Sequence, residues 1–186
     1  MNLWILLRFV LSGLLVTALG SASTANCQLT SHAASSGEAI LSETEVNKFL
    51  PDTFFFHGGQ MFVESRNSEG ILFPDGMHLL TALIDASGHA TDTDDESLAC
   101  LLTEVPLDLN GHRLQPGVYG IGLDDRHRFV IMDIAARRIF VTDSERDSRP
   151  FRARPLQIVS GSRVHTYRLY LERHFVSINR AYGDAK

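Results

Sequence analysis

Past residue 51 the chain reads as short runs in which apolar and polar positions alternate, separated by clusters of Gly, Pro, Asp and Asn. A period of two places successive side chains on opposite faces of a strand. The pattern predicts strands at Thr53–His57, Gln60–Arg66, Gly70–Phe73, His78–Asp85, Cys100–Val105 and Leu107–Leu109. It continues with Val118–Leu123, Phe129–Ile134, Ile139–Thr142, Arg163–Glu172 and His174–Asn179. Short strands with turn signals at this spacing predict an all-β, mainly antiparallel domain, either a β-sandwich or a small β-barrel. Asn110-Gly111 is the strongest hairpin signal; a two-residue type I′ turn there pairs Leu109 with His112 and Leu107 with Leu114. Gln115-Pro116-Gly117-Val118 fits a type II turn, with Pro setting one dihedral and Gly taking the positive one. Residues 144–155, with Pro150 and Pro155, read as a charged loop.

The faces of individual strands are also legible. In Val118–Leu123, Tyr119, Ile121 and Leu123 share one face, and Val118, Gly120 and Gly122 the other. Two glycines two apart leave that second face bare and invite close approach of another backbone or a sharp bend. Phe129–Ile134 is apolar on both faces, as a central strand should be. Tyr167, Leu169 and Leu171 point opposite to Thr166, Arg168 and Tyr170. One short N-terminal helix stands apart, expected at Glu43–Leu50. Ser42 and Glu45 are spaced as a capping box, Leu41 and Val46 as a hydrophobic staple, and Pro51 ends the run. Two turns of helix are not stable alone, so this one must dock on the sheet.

The first 25 residues follow another grammar. Arg8 precedes an apolar run from Phe9 to Gly20, followed by small residues from Ser21 to Asn26. This is the layout of a secretory signal peptide, so the protein is expected to be secreted or periplasmic. Residues 26–39 are expected to form a flexible N-terminal segment and residues 40–186 a single β-rich domain, with no transmembrane segment in the mature chain. Export makes a disulfide between the two cysteines, Cys27 and Cys100, the expected pairing. Two free thiols and lipidation of Cys27 are the alternatives, although Thr24-Ala25-Asn26 matches poorly the Leu-Ala-Gly type of sequence that precedes a lipidated cysteine.

Charge divides the domain. Glu38 to Asp108 holds 14 acids against Lys48 and Arg66, a net of −12, and Gly111 onward holds 8 acids against 13 arginines and Lys186, a net of +6. The halves are expected to pair with each other within one fold. The chain is acidic overall and its arginines are scattered, which argues against a nucleic-acid partner.

Signatures of chemistry are sparse. The eight histidines form no His-x-His or His-Glu-x-x-His spacing, and there is no Cys-x-x-Cys, so neither metal nor cofactor is expected. Asp92-Thr93-Asp94-Asp95-Glu96 lacks the order of an EF-hand loop. Gly-x-Ser-x-Gly and Ser-x-x-Lys are absent, and Gly120-x-Gly122 lacks the third glycine of a dinucleotide loop. One constellation is a candidate binding surface. Alternation on Gln60–Arg66 sets Gln60, Phe62, Glu64 and Arg66 in one row, opposite Met61, Val63 and Ser65. The neighbouring Phe54-Phe55-Phe56 reads as core, and Glu64 and Arg66 as a weak surface pair. The expectation is a non-enzymatic binding or structural module whose partner is a protein, a glycan or a small apolar ligand. The rivals are a secreted hydrolase with a carboxylate or histidine site, and a lipocalin-like carrier with an interior cavity.

Overall fold

A computed structural model describes residues 37–85, 98–148 and 154–182. The chain forms two antiparallel sheets packed face to face. The first contains β1 (Ala39–Leu41), β2 (Thr53–Phe56), β3 (Gly59–Leu72), β4 (His78–Asp85), β5 (Ala99–Thr103), β8 (Gly117–Leu123), β9 (Phe129–Met132) and β10 (Arg138–Thr142). Its order is β1-β3-β4-β5-β8-β9-β10, with β2 paired to β3. The second contains β6 (Leu107–Leu109), β7 (His112–Leu114), β11 (Glu145–Arg146), β12 (Leu156–Ser160), β13 (Thr166–Leu171) and β14 (His174–Arg180). Its order is β12-β13-β14-β6-β7, with β11 paired to β14. The all-β reading holds, and of its two architectures the sandwich is the one adopted; the sheets do not close into a barrel.

The space between the sheets is filled. Leu79, Leu101, Ile121, Phe129 and Ile131 of the first sheet meet Leu107, Leu109, Leu156, Leu169, Val176 and Ile178 of the second, all nearly inaccessible. Burying one such side chain contributes about 1.5–3 kcal/mol. Strand β9 is apolar on both faces because both are covered. Phe129 and Ile131 enter the inter-sheet core, whereas Val130 and Met132 enter a second cluster on the far side of the sheet.

Two devices cover that far side. The first is α1 (Glu43–Val46), a single turn where two were expected. The Glu45 carboxylate accepts from the Ser42 backbone N–H at 2.8 Å and from Ser42 Oγ at 2.6 Å. Leu41 and Val46 pack together with Leu80, completing the staple. The second device is the β2–β3 hairpin, which curls back over the sheet and lays Phe56 on Gly120. A Cβ at Gly120 would stand 2.4 Å from the Phe56 ring, so only glycine admits it. The hairpin turns at His57-Gly58 (φ 51° and 75°), one residue earlier than the gap between the expected strands Thr53–His57 and Gln60–Arg66. The His57 N–H donates to the Ile134 carbonyl at 2.9 Å, stitching the hairpin tip to the β9–β10 turn.

Strand β3 joins two segments that read as separate strands. Glu64 pairs with Leu83 and Ser68 with Ala82, which leaves Ser65, Arg66 and Asn67 as a bulge without partners in the ladder. Asn47 Nδ2 donates to the Ser65 carbonyl, and Ser68 Oγ donates to the same carbonyl. Arg154 donates to the Arg66 carbonyl at 3.2 Å and to Glu69 Oε1 at 2.6 Å. Burial pushes the Glu69 carboxyl up, against the pull of Arg154. This pair is one of several that join the acidic half to the basic half, with Arg154–Glu43, Arg180–Asp75 and His165–Glu38.

The turns repay a closer look. The Asn110-Gly111 hairpin has the expected register, Leu109 to His112 and Leu107 to Leu114. The type II turn at residues 115–118 does not form: Gly117 lacks a positive φ and begins β8, with the Tyr119 side chain across its face. The β8–β9 and β9–β10 turns share one design. In each an aspartate, Asp124 or Asp133, accepts backbone N–H bonds through one oxygen and an arginine four residues on, Arg128 or Arg137, through the other. His127 and Ala136 take the left-handed conformation that closes each loop, with φ 58° and 59°. Strand β11 lies inside the expected charged loop at residues 144–155, and β12 follows it in a stretch for which alternation predicts no strand.

Candidate functional site

Directly opposed residues of an antiparallel pair share a face. Phe62 stands opposite Thr53 on one side and Asp85 on the other, Gln60 opposite Phe55, and Glu64 opposite Leu83. Thr53, Phe55, Gln60, Phe62, Glu64 and Asp85 therefore lie on one face of the sheet. It is the same face that, further along β4, carries Leu79 into the inter-sheet core. On the hairpin it is open: Phe62 is 68% and Phe55 61% exposed, while Met61 behind them is 1% exposed. Gln60 Nε2 donates to Thr53 Oγ1 at 2.9 Å, bracing the polar part of the surface.

Three of the four candidate residues, Gln60, Phe62 and Glu64, lie in the expected row. Arg66 does not. It belongs to the bulge, where the alternation that placed it beside Glu64 has lapsed. The expected Glu64–Arg66 pair gives way to a bond from Asn67 Nδ2 to Glu64 Oε2 at 2.9 Å. The reading of Phe54-Phe55-Phe56 as core is corrected at its middle residue. Phe54 and Phe56 are buried, and Phe55 joins Phe62 outside. The signal was available, since a period of two cannot send three consecutive side chains the same way.

The remaining candidates give less. Among the described residues Cys100 has no disulfide partner; it is buried within the second apolar cluster, and burial pushes its thiol pKa up to about 11. Cys27, the acidic run Asp92–Glu96 and the expected signal peptide lie outside the described residues. Among the described residues no group of three His, Cys, Asp or Glu is placed to hold a metal ion, and no helix is long and apolar enough to cross a membrane. A depression of about 440 Å³ on the outer side of the second sheet is lined by Glu145, Arg146, Asp147, Ser148, Arg168 and Phe175. The Arg168 guanidinium lies 4.7 Å from the Phe175 ring centre, and the Tyr170 hydroxyl donates to Asp147 at 3.0 Å. The depression mixes charges of both signs around one aromatic ring.

Compared with known proteins, the chain matches no family model, no curated protein and no solved structure.

Proposed function

We propose that this chain is an exported, non-enzymatic recognition module that holds a protein partner on the open face of its β2–β3 hairpin. The observation that carries the reading is the exposure of Phe55 and Phe62 beside Gln60 and Thr53, on a strand pair whose opposite face is packed core. Aromatic side chains concentrate binding energy at protein interfaces, and braced polar neighbours supply orientation. A flat face suits a protein better than a small apolar ligand, which needs a concave, mostly apolar pocket. The filled space between the sheets speaks for the same choice over a carrier with an interior cavity.

The test is site-specific crosslinking in the producing cell, with a photoreactive phenylalanine analogue at position 62 and, as control, at exposed Val164. Adducts to one protein from position 62, lost in the Phe55→Ala background, support the reading. Equal labelling from both positions defeats it. If Phe55 and Phe62 are contact residues, replacing either by alanine weakens the complex by about 1–2 kcal/mol.

Export rests on the order Arg8, apolar run, small residues, and predicts a mature chain that starts within residues 23–27. Intact mass checks it, and a chain still beginning at Met1 refutes it. The Cys27–Cys100 bridge belongs to the same proposal. Two reactive thiols in the denatured, unreduced protein would exclude it.

A further inference from the structure

The two sheets meet at one corner through a pair of histidines. His127, in the β8–β9 turn, lies ring on ring with His174, the first residue of β14; the centroids are 4.3 Å apart and the planes 9° from parallel. His127 is exposed and held by its backbone, its carbonyl accepting from Ser144 Oγ and its N–H donating to the Asp124 carbonyl. His174 is half-buried, and its Nδ1, fully enclosed, makes no hydrogen bond among the described residues.

Charged groups approach this corner from three sides. The β8–β9 turn brings Asp124, already bound to Arg128 at 2.7 Å, together with Asp125 and Arg126. The segment leading into β11 brings Asp143, Glu145, Arg146 and Asp147, with Arg146 directly opposite His174 in the ladder. The β13–β14 turn brings Glu172 and Arg173, whose carbonyl accepts from the Asp147 N–H at 2.9 Å. Burial, then His127, Arg146 and Arg173, favour the neutral form of His174, and Glu172 opposes them.

We propose that the His127–His174 stack is a pH-sensitive clasp, holding the β8–β9 turn of one sheet against the β11–β14 corner of the other and opening as the rings take up protons. Neutral imidazoles stack as aromatic rings do. A proton on His174 puts a charge where the surrounding guanidiniums oppose it and requires an acceptor for a Nδ1–H that has none. A second proton, on His127, sets two cations face to face. The folded state then binds protons at His174 less readily than the unfolded chain. The clasp's contribution is present above the ordinary histidine value of about 6.5 and is lost as the pH falls below it.

The first element to yield is β11. It has two residues, and its ladder partners are His174 and Phe175. Phe175, 5% exposed, lies on the other side of that strand pair and lines the depression with Arg168. Opening the clasp therefore uncovers an aromatic ring and a guanidinium together.

The experiment follows the imidazole proton resonances and the amide exchange of Asp147 and Phe175 in the full domain between pH 7.5 and 4.5. Wild type is compared with His127→Phe and His174→Phe, each of which keeps a ring that stacks but takes no proton. The expected result is a His174 titration below the ordinary value. With it, exchange at Asp147, whose N–H donates to the Arg173 carbonyl, corrected for its intrinsic pH dependence, rises about tenfold or more through that titration, as local opening requires. Both variants abolish the rise. A His174 titration at or above the ordinary value, or a rise unchanged in the variants, overturns the proposal. Should His174→Phe fail to fold, the exposed His127→Phe decides the question.

Discussion

One face of the first sheet meets two fates along its length. Over β4, β5, β8 and β9, short of Asp85 at the end of β4, it lies beneath the second sheet, and its side chains are apolar apart from Thr81, Thr103 and Tyr119, whose hydroxyls are bonded to the Cys100, Val105 and Gln115 carbonyls. Over the β2–β3 hairpin the same face runs beyond that cover, and two phenylalanines stand in solvent among Gln60, Thr53 and Glu64. What a phenylalanine contributes to stability thus depends on whether anything lies above it. Phe129, fully enclosed, helps hold the sheets together; Phe62 holds nothing among the described residues.

Substitutions should separate these two regions by effect. The largest loss is expected for Phe129→Ala, about 3–5 kcal/mol by denaturant titration, because the site is enclosed by both sheets and cannot collapse. A loss under about 1 kcal/mol would mean that the inter-sheet core is not as tightly packed as its burial implies. Next comes Gly120→Ala, at about 1–3 kcal/mol, since the new methyl group displaces the buried Phe56 ring. If Phe56→Leu does not relieve part of that loss, the hairpin is not seated on Gly120 in solution. Asp124→Ala removes an acceptor for two backbone N–H groups and Arg128, and should cost about 1 kcal/mol. Matched protection of the Arg126 and Arg128 amides in variant and wild type would contradict that role. The smallest change is expected for Phe62→Ser, within about 0.5 kcal/mol of wild type. A substantially larger destabilisation of the isolated domain would give the hairpin face a structural role and remove its claim to a partner.

Much of this fold can be read from alternation alone, because alternation records burial. The two faces of β8, the doubly apolar β9 and the Asn110-Gly111 register all carry local signals strong enough to survive folding. The losses come where a distant contact overrides the local pattern. Gln115-Pro116-Gly117 has the composition of a type II turn, yet the Tyr119 side chain needs the space beside Gly117 and holds it extended. Arg66 belongs on paper to the row of Glu64. Anchors at Asn47, 18 residues from the Ser65 carbonyl it holds, and at Arg154, 88 from that of Arg66, draw three residues out of the ladder instead. The candidate surface was therefore legible at Gln60, Phe62 and Glu64, misplaced at Arg66 and overlooked at Phe55. The histidine stack was invisible, since no spacing within one strand brings residues 127 and 174 together.

The bond between the hairpin tip and the β9–β10 turn has a consequence for the protein at high concentration. In a two-residue hairpin the backbone groups of Thr53, Phe55 and His57 point away from β3, the side from which another chain could extend the sheet. Ile134 occupies that flank at His57, so the row open to a newcomer shrinks to two residues. A template that short cannot nucleate an ordered stack of strands. The hairpin can therefore display two bare phenylalanines without its own edge inviting a further strand.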